Sequence, residues 1–194
     1  RRVLLELDDG QLTCRDDELR AALVSSLGSD RVAHARHAWI EQHDTDGDAA
    51  IAIADHVAQL PDWPTQDAIE RFDAATAAAS STVRYDVALL NARRAHRIAL
   101  EARGAEDSDV LRREVEITGL MRLNVDLSYY DRQWVLVDRL TELGDTTNLL
   151  RLVGSMCSTG ASSEAGVLDE RLVALVDTVF HLPADPSHRA VAAA

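Results

Sequence analysis

The sequence predicts an all-α chain of stacked antiparallel helix pairs, preceded by a small N-terminal β-hairpin. Amphipathic stretches follow one another in pairs, with apolar residues recurring every three to four positions. The pairs end at recurrent stops: Glu101-Ala102-Arg103-Gly104, Glu142-Leu143-Gly144-Asp145 and the Leu182-Pro183-Ala184-Asp185 break. These lie about 40 residues apart, close to the period of a two-helix tetratricopeptide unit and its longer cousins. Hydrophobic content is 46% but aromatic content only 4%. Ala, Leu, Val and Ile must therefore fill the core, and small Ala faces let helices approach closely. The expected architecture is a tetratricopeptide-like α-solenoid, in which each unit buries its apolar face against its neighbours and the array presents a surface.

Val3-Leu4-Leu5-Glu6-Leu7, Asp8-Asp9-Gly10 and Gln11-Leu12-Thr13-Cys14 predict the hairpin, with an Asp-Gly turn. Asp16 or Asp17 then caps a helix carrying Leu19, Leu23 and Leu27, stopped by Gly28. Ser29-Asp30 caps a second, with Val32, Ala35, Trp39 and Ile40. After an acidic loop at 44–48, Ile51, Ala54, Val57 and Leu60 mark a third, ended before Pro61-Asp62-Trp63-Pro64, the strongest punctuation in the chain. Thr65 caps the next helix, with Ile69, Phe72, Ala75 and Ala79, and Ser80-Ser81-Thr82 turns the chain. A long helix from Tyr85 reaches Gly104; Ser108 caps one through Leu123; Ser128 restarts one that reaches Gly144. Further helices are expected over about 147–158 and, beyond a Ser- and Gly-containing loop, through Leu168, Leu172, Leu175 and Val179.

The net charge of −13 argues against nucleic acid, because so acidic a surface repels phosphates and no Lys/Arg stripe offsets it. No apolar run approaches the ~20 residues of a membrane span. The chain begins at Arg1, carries no signal-peptide pattern and ends in an apolar stretch over 189–194, so it is read as a piece of a longer cytoplasmic protein. Cys14 and Cys157 lie in different elements without a CxxC. They are read as two buried or half-buried thiols in a reducing compartment, a disulfide between them staying open.

The order of parts resembles a known arrangement. The hairpin, then Arg15-x-x-x-Leu19-Arg20-x-Ala22-Leu23-x-x-x-Leu27, Arg31-x-x-His34-x-x-x-Ala38 and Ala54-Asp55-His56, are similar to the segment that follows the nucleotide-binding domain in large LuxR-type ATP-binding regulators and related STAND-class transcriptional activators. Glu142-Leu143-Gly144-Asp145 and Leu168-Asp169-Glu170-Arg171-Leu172 resemble the repeat region that comes next there. Cys14-Arg15-Asp16-Asp17-Glu18 replaces the family's His-Pro step, and Ser26 stands where the family has Tyr. The resemblance implies a hairpin plus three-helix, winged-helix-like linker over 1–60 and tetratricopeptide-like repeats, cut short at the C-terminus, over 61–194. It also implies that ATPase and DNA-binding functions belong to flanking domains, since no Walker A loop (GxxxxGK[ST]) is present.

The sharpest chemical pattern is Asp44-x-Asp46-Gly47-Asp48-x-x-Ile51-x-x-x-Asp55, which follows the EF-hand template at positions one, three, five, eight and twelve. It departs at position six, where Ala49 replaces the turn Gly, and at twelve, where Asp is a methylene short. No metal is assigned: the acids are read as helix-capping residues. A Ca²⁺-responsive helical protein using Asp44, Asp46, Asp48 and Asp55 is the alternative function. His34, His37 and His43, with Glu41, space like metal ligands, with His56 the candidate from another segment, but they lack a closed set and are read as half-exposed. Asp8-Asp9 and Asp16-Asp17 are read as solvated turn and cap charges.

No catalytic residue, enzyme activity or cofactor is assigned. The expected function is a helical-repeat sensor and interaction module of a transcriptional regulator, binding a ligand, a peptide or protein, or another part of its own chain, with no direct nucleic-acid contact and no membrane. Tyr129, Tyr130 and Trp134 cluster at a helix start, where such residues usually wedge helices together. The expected surface joins the outer faces of the 85–103 and 128–143 helices, with Arg93, Arg97, Asp131 and Arg139 at its rim and Tyr129 and Tyr130 near one end.

Overall fold

A computed structural model describes residues 4–6, 12–14, 17–43, 47–157 and 170–181. Among these residues the chain folds as packed helix pairs: α1 Asp17–Ser26, α2 Ser29–Gln42, α3 Gly47–Val57, α4 Thr65–Ser81, α5 Tyr85–Arg103, α6 Ser108–Leu123, α7 Tyr129–Leu143, α8 Thr146–Cys157 and α9 Glu170–Phe180. Each helix packs against the next in the chain from α2 through α8, and α6 also touches α8. The hairpin is not established as an element of this fold. Leu4–Glu6 (β1) lies antiparallel to Leu12–Cys14 (β2), with Leu5 opposite Thr13, but the expected turn falls outside the described residues. Two three-residue strands are also marginal alone in water. The third expected stop, at 182–185, and the terminal stretch over 189–194 likewise lie outside them.

The helix ends follow the local chemistry. Gly104 has φ +86°, and its N–H donates to Leu100 O at 3.0 Å, closing α5. Gly144 (φ +68°) closes α7 with Asp145 N–H donating five residues back to Leu140 O at 3.0 Å, a Schellman ending. The same ending closes α4 and α6, where Arg84 N–H reaches Ala79 O and Asp126 N–H reaches Met121 O, both at 2.9 Å. There the left-handed position holds Val83 (φ +62°) and Val125 (φ +58°), a costly conformation for a β-branched residue. At the start of α6 the cap is Asp107 rather than Ser108: its carboxylate accepts from the N–H groups of Asp109 (3.0 Å) and Val110 (3.3 Å).

One hydrophobic cluster runs from Ile40 in α2 through Ile53, Val57, Phe72, Ala75, Ala88 and Leu89 to Met121 and Tyr129. It passes straight across residue 61, where the sequence suggested a division. Pro61-Asp62-Trp63-Pro64 turns the chain inside one core; Pro stops a helix locally and carries no information about which helices then pack together. The α4–α5 seam is lined by Ala75, Ala79, Ala88, Ala92 and Ala95, all buried, as the Ala-rich composition requires. A second cluster joins Leu111 and Val115 of α6 to Leu136 and Leu140 of α7, Leu149 and Leu152 of α8 and Val179 of α9.

Polar ties run alongside the apolar seams. Arg103 Nη2, at the end of α5, donates to Gln66 Oε1 at the start of α4 (2.7 Å), so the two helices are antiparallel. Other ties skip one helix. Arg94 of α5 binds Asp55 of α3 at 2.8 Å, an offset of 39 residues. Arg113 of α6 reaches Asp73 of α4 with Nη2–Oδ2 2.9 Å, an offset of 40. Asn148 Nδ2 of α8 donates to Ser108 O of α6 at 2.9 Å, again an offset of 40. Arg171 of α9 meets Asp138 of α7 at 3.4 Å, an offset of 33.

Candidate interaction surface

The six residues expected to form a surface separate into two groups. Tyr129 is only 6% exposed and belongs to the first core cluster, whereas Tyr130, stacked on it at 4.1 Å between ring centroids, is 42% exposed. Tyr129 is therefore removed from the surface: successive helical residues point about 100° apart, and of the two adjacent Tyr it is Tyr129 that turns into the core. Arg139 is also structural. Its Nη1 donates to Glu114 Oε1 at 3.1 Å and its Nη2 to the Ala105 carbonyl. Glu114 accepts a further contact from His96 Nε2 at 3.3 Å. Burial pushes the Glu114 carboxyl up, but the bonds from His96 and Arg139 more than offset it, leaving the group below its ordinary value.

Arg93, Arg97 and Asp131 are exposed. Arg93 lies 3.8 Å from Asp126, which brings the outer face of α5 beside the α6–α7 connection. Around that contact stand exposed apolar side chains that the sequence analysis passed over: Leu90 on α5, and Val125 and Leu127 in the connection, the last two 79% and 71% exposed. Tyr130 extends the patch onto α7. Apolar residues alternating with polar ones in Asn124-Val125-Asp126-Leu127-Ser128 were the available signal, since such turns ordinarily carry Gly, Asn or Asp.

The two described acids of the EF-hand-like pattern, Asp48 and Asp55, pair with arginines. Asp44 and Asp46 lie outside the described residues. Asp48 and Asp55 both stand on α3, which starts at Gly47. Asp48 accepts from Arg84 at 3.1 Å and Asp55 from Arg94 at 2.8 Å.

The histidines are built into an aromatic joint between α2, α3 and the following turn. His37 stacks on Trp63 at 4.7 Å, His43 on Trp39 at 4.0 Å, and His56 lies 4.5 Å from Trp39. His56 Nδ1 is also 3.3 Å from Arg36 Nη1. Burial, with the Arg36 charge adding to it, holds the His56 imidazole below its ordinary value. His34 is exposed, away from these stacks. Among the described residues no three His, Cys, Asp or Glu side chains converge as a metal would require. Cys157 is exposed at the end of α8, correcting the expected burial, because the apolar face of that helix is carried by Leu149, Leu152 and Val153.

Two clefts open near this joint. One of about 570 Å³ lies between the α1–α2 corner and the turn after α3, lined by Val24, Val32, Arg36, His37 and Leu60 among others. A second, of about 260 Å³, lies between that turn, α4 and α5. Among the described residues no helix is long and apolar enough to cross a membrane. No protein-family model, curated protein or solved structure matches the chain.

Proposed function

We propose that this chain is a helical-repeat interaction module, a tetratricopeptide-like α-solenoid serving a cytoplasmic transcriptional regulator of the STAND type. Its role is to hold a protein, a peptide or another segment of its own chain and bias an on/off equilibrium. The observation that supports it best is the set of polar ties that skip one helix at offsets of 39, 40 and 40 residues. Helix pairs that repeat one stacking relation form an extended array, and such arrays act through their surfaces. The patch of Leu90, Arg93, Val125, Leu127 and Tyr130 is where the partner docks. It combines exposed apolar area with a rim of charge, and the aromatic Tyr130 provides an anchor of the kind that dominates binding energy.

The test is to measure association of this chain with peptides tiling the rest of its own protein, by calorimetry. Binding that Tyr130→Ala and Leu127→Ser each weaken at least tenfold, with helicity unchanged, is the expected result. Binding that survives both changes would move the site elsewhere, and binding to none of the peptides would remove the intramolecular partner.

A further inference from the structure

The attachment of α2 to the rest of the chain is light. Ile40 is its one fully covered side chain among the described residues, and the described side chains of α1 before it are exposed. Much of the remaining hold is the joint of imidazole and indole rings. Trp39 of α2 meets His43, stacked on it at 4.0 Å, and His56 of α3, 4.5 Å away at a tilt of 52°. Arg36, one turn before Ile40, brings Nη1 to 3.3 Å from His56 Nδ1. Hydrogen-bond chemistry fixes the state of each ring. A guanidinium has only donors, so Arg36 donates and His56 Nδ1 is an unprotonated acceptor, with the ring proton on Nε2. A carbonyl only accepts, so the 2.7 Å contact between His43 Nδ1 and Trp39 O is a donation from the ring. The two imidazoles on Trp39 therefore answer acid in opposite ways. His43 can take a proton on Nε2 and keep its bond, and a cation over an indole face is attracted to it. His56 can take one only on Nδ1, which ends the Arg36 bond and sets two cations side by side.

We propose that His56 is a proton-operated latch joining α2 to α3, closed while its ring is neutral and released on protonation, so that mild acid frees α1 and α2 from a core that stays folded. Histidine is the side chain whose charge ordinarily changes between about pH 5 and 8. The charges that face the latch are Arg36 and His43 from the α2 side and Asp55 on α3; α5 brings Arg94, which binds Asp55 at 2.8 Å. Toward α4, α3 joins the apolar cluster of Ile53, Val57, Phe72 and Ala75. Burial, and then the Arg36 charge, keep the imidazole neutral into mild acid; Asp55 opposes them but is shared with Arg94. The apolar cluster also keeps α3 in place when α2 leaves, because its side chains carry no titrating group. Val32, Arg36 and His37 of α2 line the larger cleft, so release takes away one of its walls. The latch is independent of the docking patch around Tyr130.

The experiment follows amide hydrogen exchange of the ¹⁵N-labelled chain between about pH 7.5 and 5, each rate divided by its intrinsic value, together with the His56 ring nitrogens. Near pH 7.5 His56 should be the Nε2–H tautomer and α2 should be protected. On acidification the protection of α2 should fall by about tenfold or more, in step with protonation of His56, while that of α4 and α5 changes by less than about twofold. His56→Gln, whose amide oxygen still accepts from Arg36 but does not titrate, should keep α2 protected in acid. Arg36→Gln should raise the pH at which His56 takes its proton, and His34→Gln, away from the joint, should leave the loss unchanged. Circular dichroism reports that the variants are folded, and Arg36→Gln carries the test should His56→Gln not fold. An Nδ1–H tautomer near pH 7.5, an α2 unprotected there or indifferent to pH, the same loss in His56→Gln, an unmoved His56 titration in Arg36→Gln, or a loss spread equally over α4 and α5 would overturn the proposal.

Discussion

Replacing Val125 by Gly should stabilise the chain, although it removes a side chain and loosens the backbone. Val125 sits at φ +58° in the ending of α6, and the left-handed region costs an L-residue roughly 1–2 kcal/mol, with β-branched residues at the upper end. Glycine escapes that cost but gives back about 0.5–1 kcal/mol through the greater freedom of the unfolded chain. Val125 is 79% exposed, so almost no burial is lost. The balance is a gain of about 0.5–1 kcal/mol. With a urea slope near 2 kcal/mol/M, that moves the midpoint up by roughly 0.3–0.5 M. Val83, at φ +62° and 67% exposed, should give a similar gain, and the two should add because they share no partner. Gly144→Val supplies the mirror image: φ is +68° and a Cβ there would meet nothing within 4 Å, so the loss should be purely conformational and of similar size. Urea unfolding followed by circular dichroism is the assay. A Val125→Gly variant destabilised by more than about 0.5 kcal/mol, beyond the entropy term alone, would refute the reasoning. The interaction-module reading adds that the same variant should bind its partner less well while being more stable, the pattern expected where local strain is retained for function.

Tyr129→Ala should cost about 3 kcal/mol, as for a large aromatic removed from a core, while Tyr130→Ala, on the exposed side of the same stack, should cost under about 1 kcal/mol; equal losses in urea unfolding would contradict the assignment of one to the core and the other to the surface. In the α4–α6 tie, the Arg113 side chain is 5% exposed and that of Asp73 39%. Asp73→Ala should therefore cost about 1–3 kcal/mol by leaving the two Nη groups of a buried guanidinium without their acceptor, while Nε keeps Asp109 Oδ2 at 3.0 Å. Arg113→Met should cost less, since the acids it leaves behind can reach water; the reverse order in thermal unfolding would refute this. For pH, the folded His56 resists protonation, so its contribution to stability is complete above its ordinary value of about 6.5 and is lost as pH falls from there through the lowered folded value. The same sign holds for Asp109 in a more acidic window: burial raises its pKa, but bonds from Arg112 and Arg113 prevail and keep it low. With Glu114 it contributes stability above the ordinary carboxylate range that is lost only in stronger acid. The urea midpoint should fall between pH 6.5 and 5 in the native chain and stay flatter in His56→Gln; the same slope in both would assign the effect to other groups.

Helix type was legible in the sequence because its causes are local. The Gly that follows α5 and α7, and the Pro pair before α4, act on their own backbone, and the 3.6-residue pattern of Leu, Ile, Val and Ala marks the buried stripe of each helix. The small residues that line the α4–α5 seam were visible for the same reason. Pairwise geometry was not visible. Asp48 and Asp55 looked like ligands in a linear pattern, yet each meets an arginine 36 or 39 residues away. His37, His43 and His56 share the α2–α3 joint with tryptophans, where their spacing alone suggested a metal. Tyr129 and Tyr130 are chemically identical neighbours, and only the packing of α7 into the shared core decides which is buried. Nor does any local signal predict left-handed valines at Val83 and Val125, because single-residue preferences oppose them. A chain's nearest neighbours set its helices; which side chains meet across about 40 residues is decided by packing, where charge pairing, ring stacking and strain are balanced together.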